Sequence, residues 1–239
     1  RRRIPNPLLP KEPVMTVARW IIPPETPVSA AGETLGLPAA ILAILAARGV
    51  TDPTQASDFL EPRLRKLSDP FELPGMKEAA AGVLEAVRAG RRITVFGDYD
   101  VDGITSTAFL VKTLGEIGRA LGQSCAPVPF LPHRMEEGYG LSLDGLKRCV
   151  GEHRPELILA VDCGTTAAGE ADWLAGQGIE LIILDHHQPG PARPRCRALV
   201  NPKCGSPFGH LAGVGVCFKL VHALLKILRN GGVPAPGLP

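Results

Sequence analysis

Four short apolar runs, RITVFG, CAPVPFL, ELILAVD and IELIILD, recur between residues 92 and 185, and the stretches separating them have helical patterning. Strands that alternate with helices have few ways to bury both. Their connections cross over right-handed, which makes the sheet parallel and covers both of its faces. The expected fold class is therefore α/β, with helices near 105–117, 142–152 and 167–177. In such sheets ligands bind in the crevice outside the carboxyl ends of the strands.

Three of the four runs end in acid, as VFGDYDVDG, AVDCGTT and IILDHH. A parallel sheet brings Asp98, Asp100, Asp102, Asp162, Asp185, His186 and His187 to one rim, however far apart they are in the chain. Carboxylates with one or two imidazoles suit Mn²⁺ or Mg²⁺ better than a structural zinc, which recruits thiolates. Two ions about 3.5–4 Å apart, bridged by a carboxylate, are the usual arrangement for activating water against a phosphoryl group. The D-x-D-x-D-G pattern also opens an EF-hand loop, but the twelfth position from Asp98 is Phe109 where a glutamate is required, and a strand precedes the motif. On a purely structural reading Asp102 caps a helix before Ile104 and the other acids are solvated turn residues. Adjacent His186 and His187 point to opposite sides if the strand continues, one toward a metal and one toward a phosphate. A pair of surface histidines is the plain alternative.

Two further stretches bear on the same rim. NPKCGSPFGHLAGVGVCFKL places Gly213 and Gly215 at the start of a helix running to about Arg229. Its backbone amides are suited to an anion, or the glycines let the helix approach the sheet. In PFLPHRMEEGYGLS, Arg134 is suited to gripping a phosphate and Tyr139 to stacking on a base, or the loop is structural and anchored through Glu136 and Glu137. His210 reads as an ordinary loop histidine, and Cys163 as a small buried residue rather than a nucleophile.

Ahead of this region, residues 15–75 read as a helical lead-in and linker, with one helix ending near Gly49 and another opened by Asp52. The turn-rich LSDPFELPGM puts the boundary near 75, and residues 76–239 form the main domain. Residues 1–14, Pro-broken and Arg-rich, read as a non-native or disordered leader. Without Arg1, Arg2, Arg3, Lys11 and Glu12, the 26 basic and 24 acidic residues become 22 and 23, so overall charge gives no argument for nucleic-acid binding. The longest uncharged apolar stretch, 37–47, is far short of the roughly 20 residues a bilayer needs. Six cysteines without a CxxC pair fit a reducing, cytoplasmic setting.

The ordered set GDYDVDG, VDCGTT, LDHH and NPK with LAGVGV resembles the motif series of the DHH phosphoesterase superfamily, over most of residues 80–229. More narrowly, TDPTQASDFLEPRL, LSDPFELPGM and PHRMEEGYGLS resemble the RecJ family of single-strand-specific 5′ exonucleases. The resemblance implies two Mn²⁺ or Mg²⁺ ions held by Asp100, Asp102, Asp162, Asp185 and His186. Asp162 would bridge them, with His187 nearer the substrate phosphate and Asp98 in support. Arg134, Tyr139, Gly213 and Gly215 are the further substrate-binding candidates. The implied reaction is in-line attack of activated water on single-stranded DNA, releasing nucleotide 5′-monophosphates in DNA repair and recombination, alongside a helicase and a single-strand-binding protein.

The sequence departs from the pattern at Phe96, where many members carry a metal-binding His. The resemblance also implies a further acidic segment and a second domain beyond GGVPAPGLP, so weak or no processive activity is expected of this extent of chain. Two alternatives stand beside the exonuclease: a phosphoesterase acting on short oligonucleotides, cyclic dinucleotides or pyrophosphate, and a catalytically silent binding module. The second is disfavoured by the cost of gathering so many like charges without cations.

Overall fold

A computed structural model describes residues 36–206 and 208–233, so the expected leader and the first part of the lead-in lie outside the described residues. The described residues fall into two compact units, divided between Leu67 and Ser68. In the first, α1 (Ala39–Ala47) and α2 (Pro53–Leu60) are the expected helices. Asp52 opens α2 by accepting from the amides of Thr54 (2.8 Å) and Gln55 (3.0 Å), with Pro53 at the first helical position.

The second unit begins ahead of the boundary expected near 75. The turn formers of LSDPFELPGM are a packed element rather than a linker: Asp69 and Glu72 close a capping box around a 3-10 turn, Pro70–Glu72. Lys219 Nζ donates to the Ser68 carbonyl (2.8 Å), and Lys226 pairs with Asp69 (2.6 Å). Leu73 and Met76 are buried behind them. Gly75 takes φ 77, and a side chain there would meet the Leu199 carbonyl oxygen at 2.5 Å, so only glycine lets α3 (Met76–Arg88) start against the sheet.

Five parallel strands follow: β1 (Ile93–Gly97), β2 (Val128–Phe130), β3 (Leu157–Val161), β4 (Glu180–Leu184) and β5 (Ala198–Val200), in the order β2-β1-β3-β4-β5. Handedness explains where the helices lie. The step from β1 to β2 runs toward one edge and puts α4 (Val101–Ala120) on one face. The steps β2 to β3 and β3 to β4 run the other way and put α5 (Leu143–His153) and α6 (Ala168–Gly176) on the other. The chain returns to the first face in α7 (Gly213–Asn230), beside α3 and α4. β1 and β3 are buried along their whole length, as strands covered on both sides must be. The direction of strand addition reverses between β1 and β3, so the topology puts the crevice at their carboxyl ends. Among the described residues no helix is long and apolar enough to cross a membrane.

The expectation of four strands missed β5, a run of only three residues that is followed by Asn201 rather than an acid.

Candidate metal centre

The register aligns the site. Gly97, Val161, Leu184 and Val200 pair across four strands. The residues that follow them, Asp98, Asp162, Asp185 and Asn201, therefore form one row along the sheet's carboxyl edge. The ladder runs on into that row: Asp162 N–H donates to the Leu184 carbonyl (2.9 Å) and Asp185 N–H to Val200 (3.0 Å). All four are buried. Asp98, Asp162, Asp185 and His187 line a cleft of about 250 Å³ together with Tyr139, Cys163 and Glu170.

Asp162 is the centre of the row. It is 1% exposed and takes φ 59, a left-handed conformation that Asp and Asn tolerate better than other side chains. His186 Nε2 lies 3.2 Å from its Oδ1 and 3.6 Å from Asp102 Oδ2, yet among the described residues Asp162 Oδ1 has no hydrogen-bond partner. Burial, reinforced by the charges of Asp102 and Asp100, pushes its carboxyl up to about 8. Donor atoms of Asp162, His186 and His187 fall within 4.8 Å of one another, a spacing one cation can span. A buried carboxylate oxygen without a donor, facing imidazole nitrogens and further carboxylates, fits a divalent cation with oxygen and nitrogen ligands.

The histidines do not splay apart as a continuing strand requires. β4 stops at Leu184, and the two rings lie 4.8 Å apart, tilted by 59°. Asp185 causes this, because its Oδ1 accepts from the His186 amide (2.7 Å), the His187 amide (3.2 Å) and His187 Nδ1 (2.8 Å), while Oδ2 accepts from Thr165 N–H (2.8 Å). Burial alone would raise this carboxyl and discharge His187. The hydrogen bonds outweigh it, so Asp185 sits below its usual range and His187 above. Asp185, expected as a direct ligand, also orients His187 through this contact.

The first motif is divided in the same way. Asp100, not Asp102, caps α4, accepting from Gly103 N–H (2.9 Å). Asp102 reaches across the fold instead: its Oδ2 accepts from Gly213 N–H (2.6 Å) and its Oδ1 from Val214 N–H (2.8 Å). The helix start that sequence reading offered to a substrate anion is therefore filled by the chain's own carboxylate. Gly213 also lets α7 come in, since a side chain there would sit 2.6 Å from Asp162 Oδ1; at Gly215 the neighbour is only the Leu211 side chain, at 3.2 Å. Asp98 Oδ1 accepts from Tyr99 N–H (2.7 Å).

Arg134 lies over the Tyr99 ring (5.0 Å) and Tyr139 stands at the cleft. Phe96 is buried against Phe130 (5.0 Å) and offers no ligand. Burial, with Asp185 and Asp98 near it, holds the Cys163 thiol well above its usual range, so it stays protonated. His210 is exposed.

Sequence reading missed Asn201. It is fully buried, and its Nδ2 donates to Thr165 Oγ1 (2.8 Å) and the His187 carbonyl (2.9 Å), while Oδ1 accepts from Lys203 N–H (2.9 Å). The available signal was ALVN, another apolar run ending in a polar residue. Asn201→Ala is expected to cost about 2 kcal/mol through the groups it strands, a fall of roughly 4–8 °C in Tm by calorimetry.

The DHH family, N-terminal domain, matches residues 92–234. The chain is 40% identical over 218 residues to the single-stranded-DNA-specific exonuclease RecJ of Bacillus subtilis, covering 89% of this chain and 27% of that protein. To the exonuclease of the same name from Thermus thermophilus it is 42% identical over 167 residues, covering 69% and 23%. Among solved structures, exonuclease RecJ bound to manganese superposes with a TM-score of 0.58 at 41% identity, over 69% of this chain and 40% of that one. RecJ in complex with Mn²⁺ from Thermus thermophilus gives 0.62 at 33% identity, over 86% and 27%. The chain spans about a quarter of the length of these curated relatives.

Proposed function

The chain belongs to the DHH family, and on that premise we propose that it carries the metal-binding half of a nuclease that removes nucleotides from the 5′ end of single-stranded DNA. The observation that carries this reading is the buried Asp162 oxygen, unpartnered and within reach of His186 at a rim of carboxylates. Likeness to RecJ exonucleases over most of this chain supports the choice of substrate.

Asp162, His186 and Asp102 would hold a first Mn²⁺ or Mg²⁺, and Asp162 and Asp100 a second. Carboxylate oxygens already bonded to an amide keep a second lone pair for this. When bound, such cations lower the pKa of water and neutralise charge on the phosphoryl group. His187, fixed at Nδ1 by Asp185 and held above its usual pKa, presents Nε2 to donate to a phosphate oxygen. Asp98 supports the turn through Tyr99. Arg134 would grip a backbone phosphate. Nucleotide 5′-monophosphates are the proposed products, and DNA repair or recombination the setting.

The test is nucleotide release from 5′-labelled single-stranded DNA in Mn²⁺, beside duplex of the same sequence, a cyclic dinucleotide and pyrophosphate. Degradation of single strands alone supports the reading. Consumption of only the small substrates overturns it in favour of a small-molecule phosphoesterase.

A further inference from the structure

Tyr139 is 79% exposed, yet it lines the cleft with Asp98, Asp162 and His187. It is displayed between Gly138 (φ 76) and Gly140 (φ 72), two left-handed positions that turn the chain on either side of it. Gly140 lies against the cleft wall, since a side chain there would be 3.7 Å from Cys163 Cβ. Packing gives no reason to hold a large ring in water at this point.

Glu137, two residues earlier, is held unusually firmly for a loop residue. Its carboxylate accepts Arg148 Nε (2.7 Å) and Nη2 (2.9 Å) in a bidentate pair, and the His133 amide (2.6 Å). Arg148 Nη2 also donates to the Leu131 carbonyl (3.0 Å), and the guanidinium lies over the Phe130 ring (4.2 Å). Arg148 belongs to α5, so residues 131, 133 and 137 are all fastened to one packed helix. The Arg148 hydrogen bonds bring the Glu137 carboxyl down to about 2, keeping it charged at any working pH.

We propose that Glu137 and Arg148 form a positioning clamp that holds Tyr139 over the cleft as a stacking surface for one base of a single-stranded nucleic acid. The inference rests on the nuclease reading above and deepens it. Bases in a duplex are already stacked and cannot reach the ring, so the clamp contributes to strand selection. The structural alternative anchored the loop through Glu136 and Glu137; among the described residues only Glu137 has a side-chain anchor, and that partner is on a helix.

The experiment measures affinity, by fluorescence anisotropy in Ca²⁺, for a labelled oligothymidylate and an abasic oligomer of equal length. Tyr139→Leu is expected to weaken oligothymidylate binding about tenfold, with Tyr139→Phe near the unaltered chain and abasic binding unmoved. Glu137→Gln and Arg148→Lys should reproduce the tenfold loss, and Glu137→Gln combined with Tyr139→Leu should be no worse than Tyr139→Leu alone. That non-additivity is what mere loss of stability would not give. Equal losses on both oligomers, fully additive losses, or an unaltered chain that binds the two alike would each overturn the clamp. A chain that prefers oligothymidylate through Tyr139 but takes up no Mn²⁺ by calorimetry would retain the clamp and sink the metal-dependent reading instead.

Discussion

Asp162→Asn is expected to raise the Tm of the cation-free chain while removing its Mn²⁺ uptake and cutting Mn²⁺-dependent hydrolysis about a thousandfold. The stability gain arises because Asp162 is buried, its Oδ1 has no donor among the described residues, and Asp102 and Asp100 repel its charge. Its carboxyl titrates near 8 in the fold against 3.8 for an ordinary Asp, so the folded chain binds a proton that the unfolded chain has lost. Stability of the cation-free chain therefore falls as pH rises from about 4 to about 8, and the cost is fully present above that. Asn removes it without disturbing the backbone, since φ 59 suits Asn as well as Asp; Ala adds strain of about 1–2 kcal/mol there. The functional loss follows from deleting a charge that a cation needs, worth about 4 kcal/mol in the transition state. Mn²⁺ affinity of the unaltered chain should weaken as pH drops below about 8, with proton release on binding. Calorimetry across pH 6–9 measures both, and an Asn variant that keeps Mn²⁺ affinity would refute the assignment.

Gly213→Ala should be nearly as damaging, and Gly215→Ala harmless, although the sequence presents them as one Gly-x-Gly. At Gly213 the new methyl would lie 2.6 Å from Asp162 Oδ1 and 2.9 Å from its Cβ and Cγ, atoms of a fully buried residue that cannot retreat. Either α7 withdraws, taking its two hydrogen bonds from Asp102, or Asp162 moves. The overpacking costs about 1–3 kcal/mol, and Mn²⁺ affinity should fall roughly 10–100-fold as the carboxylates lose their supports. At Gly215 the methyl meets the end of the Leu211 side chain, which can turn aside, and Ala is the better helix former by up to about 1 kcal/mol. Thermal unfolding and Mn²⁺ titration of the two variants measure the contrast. Equal behaviour would mean that α7 does not lean on Asp162.

Much of this arrangement was legible in the chain. Two-sided burial demands continuous apolar runs, and a parallel sheet demands crossovers, so ELILAVD and IELIILD fixed both the layers and the edge where Asp162 and Asp185 emerge. Local rules also sufficed for Asp52, whose cap involves only its own next three residues. The rest depended on contacts that no local pattern encodes. β5 is too short to show a period, and Asn201 matters only because the register sets it beside Asp185. His186 and His187 lie together because Asp185 gathers their backbone and ring nitrogens once the strand has ended. Asp102 looks like a helix cap and is one, but for a helix 111 residues away. The sequence by itself determined which donors reach the rim, since alternation and strand ends are properties of neighbours in the chain. Only the tertiary structure decided which of them stay unpartnered and which hold others in place, because burial and hydrogen-bond partners are set by residues that folding brings together.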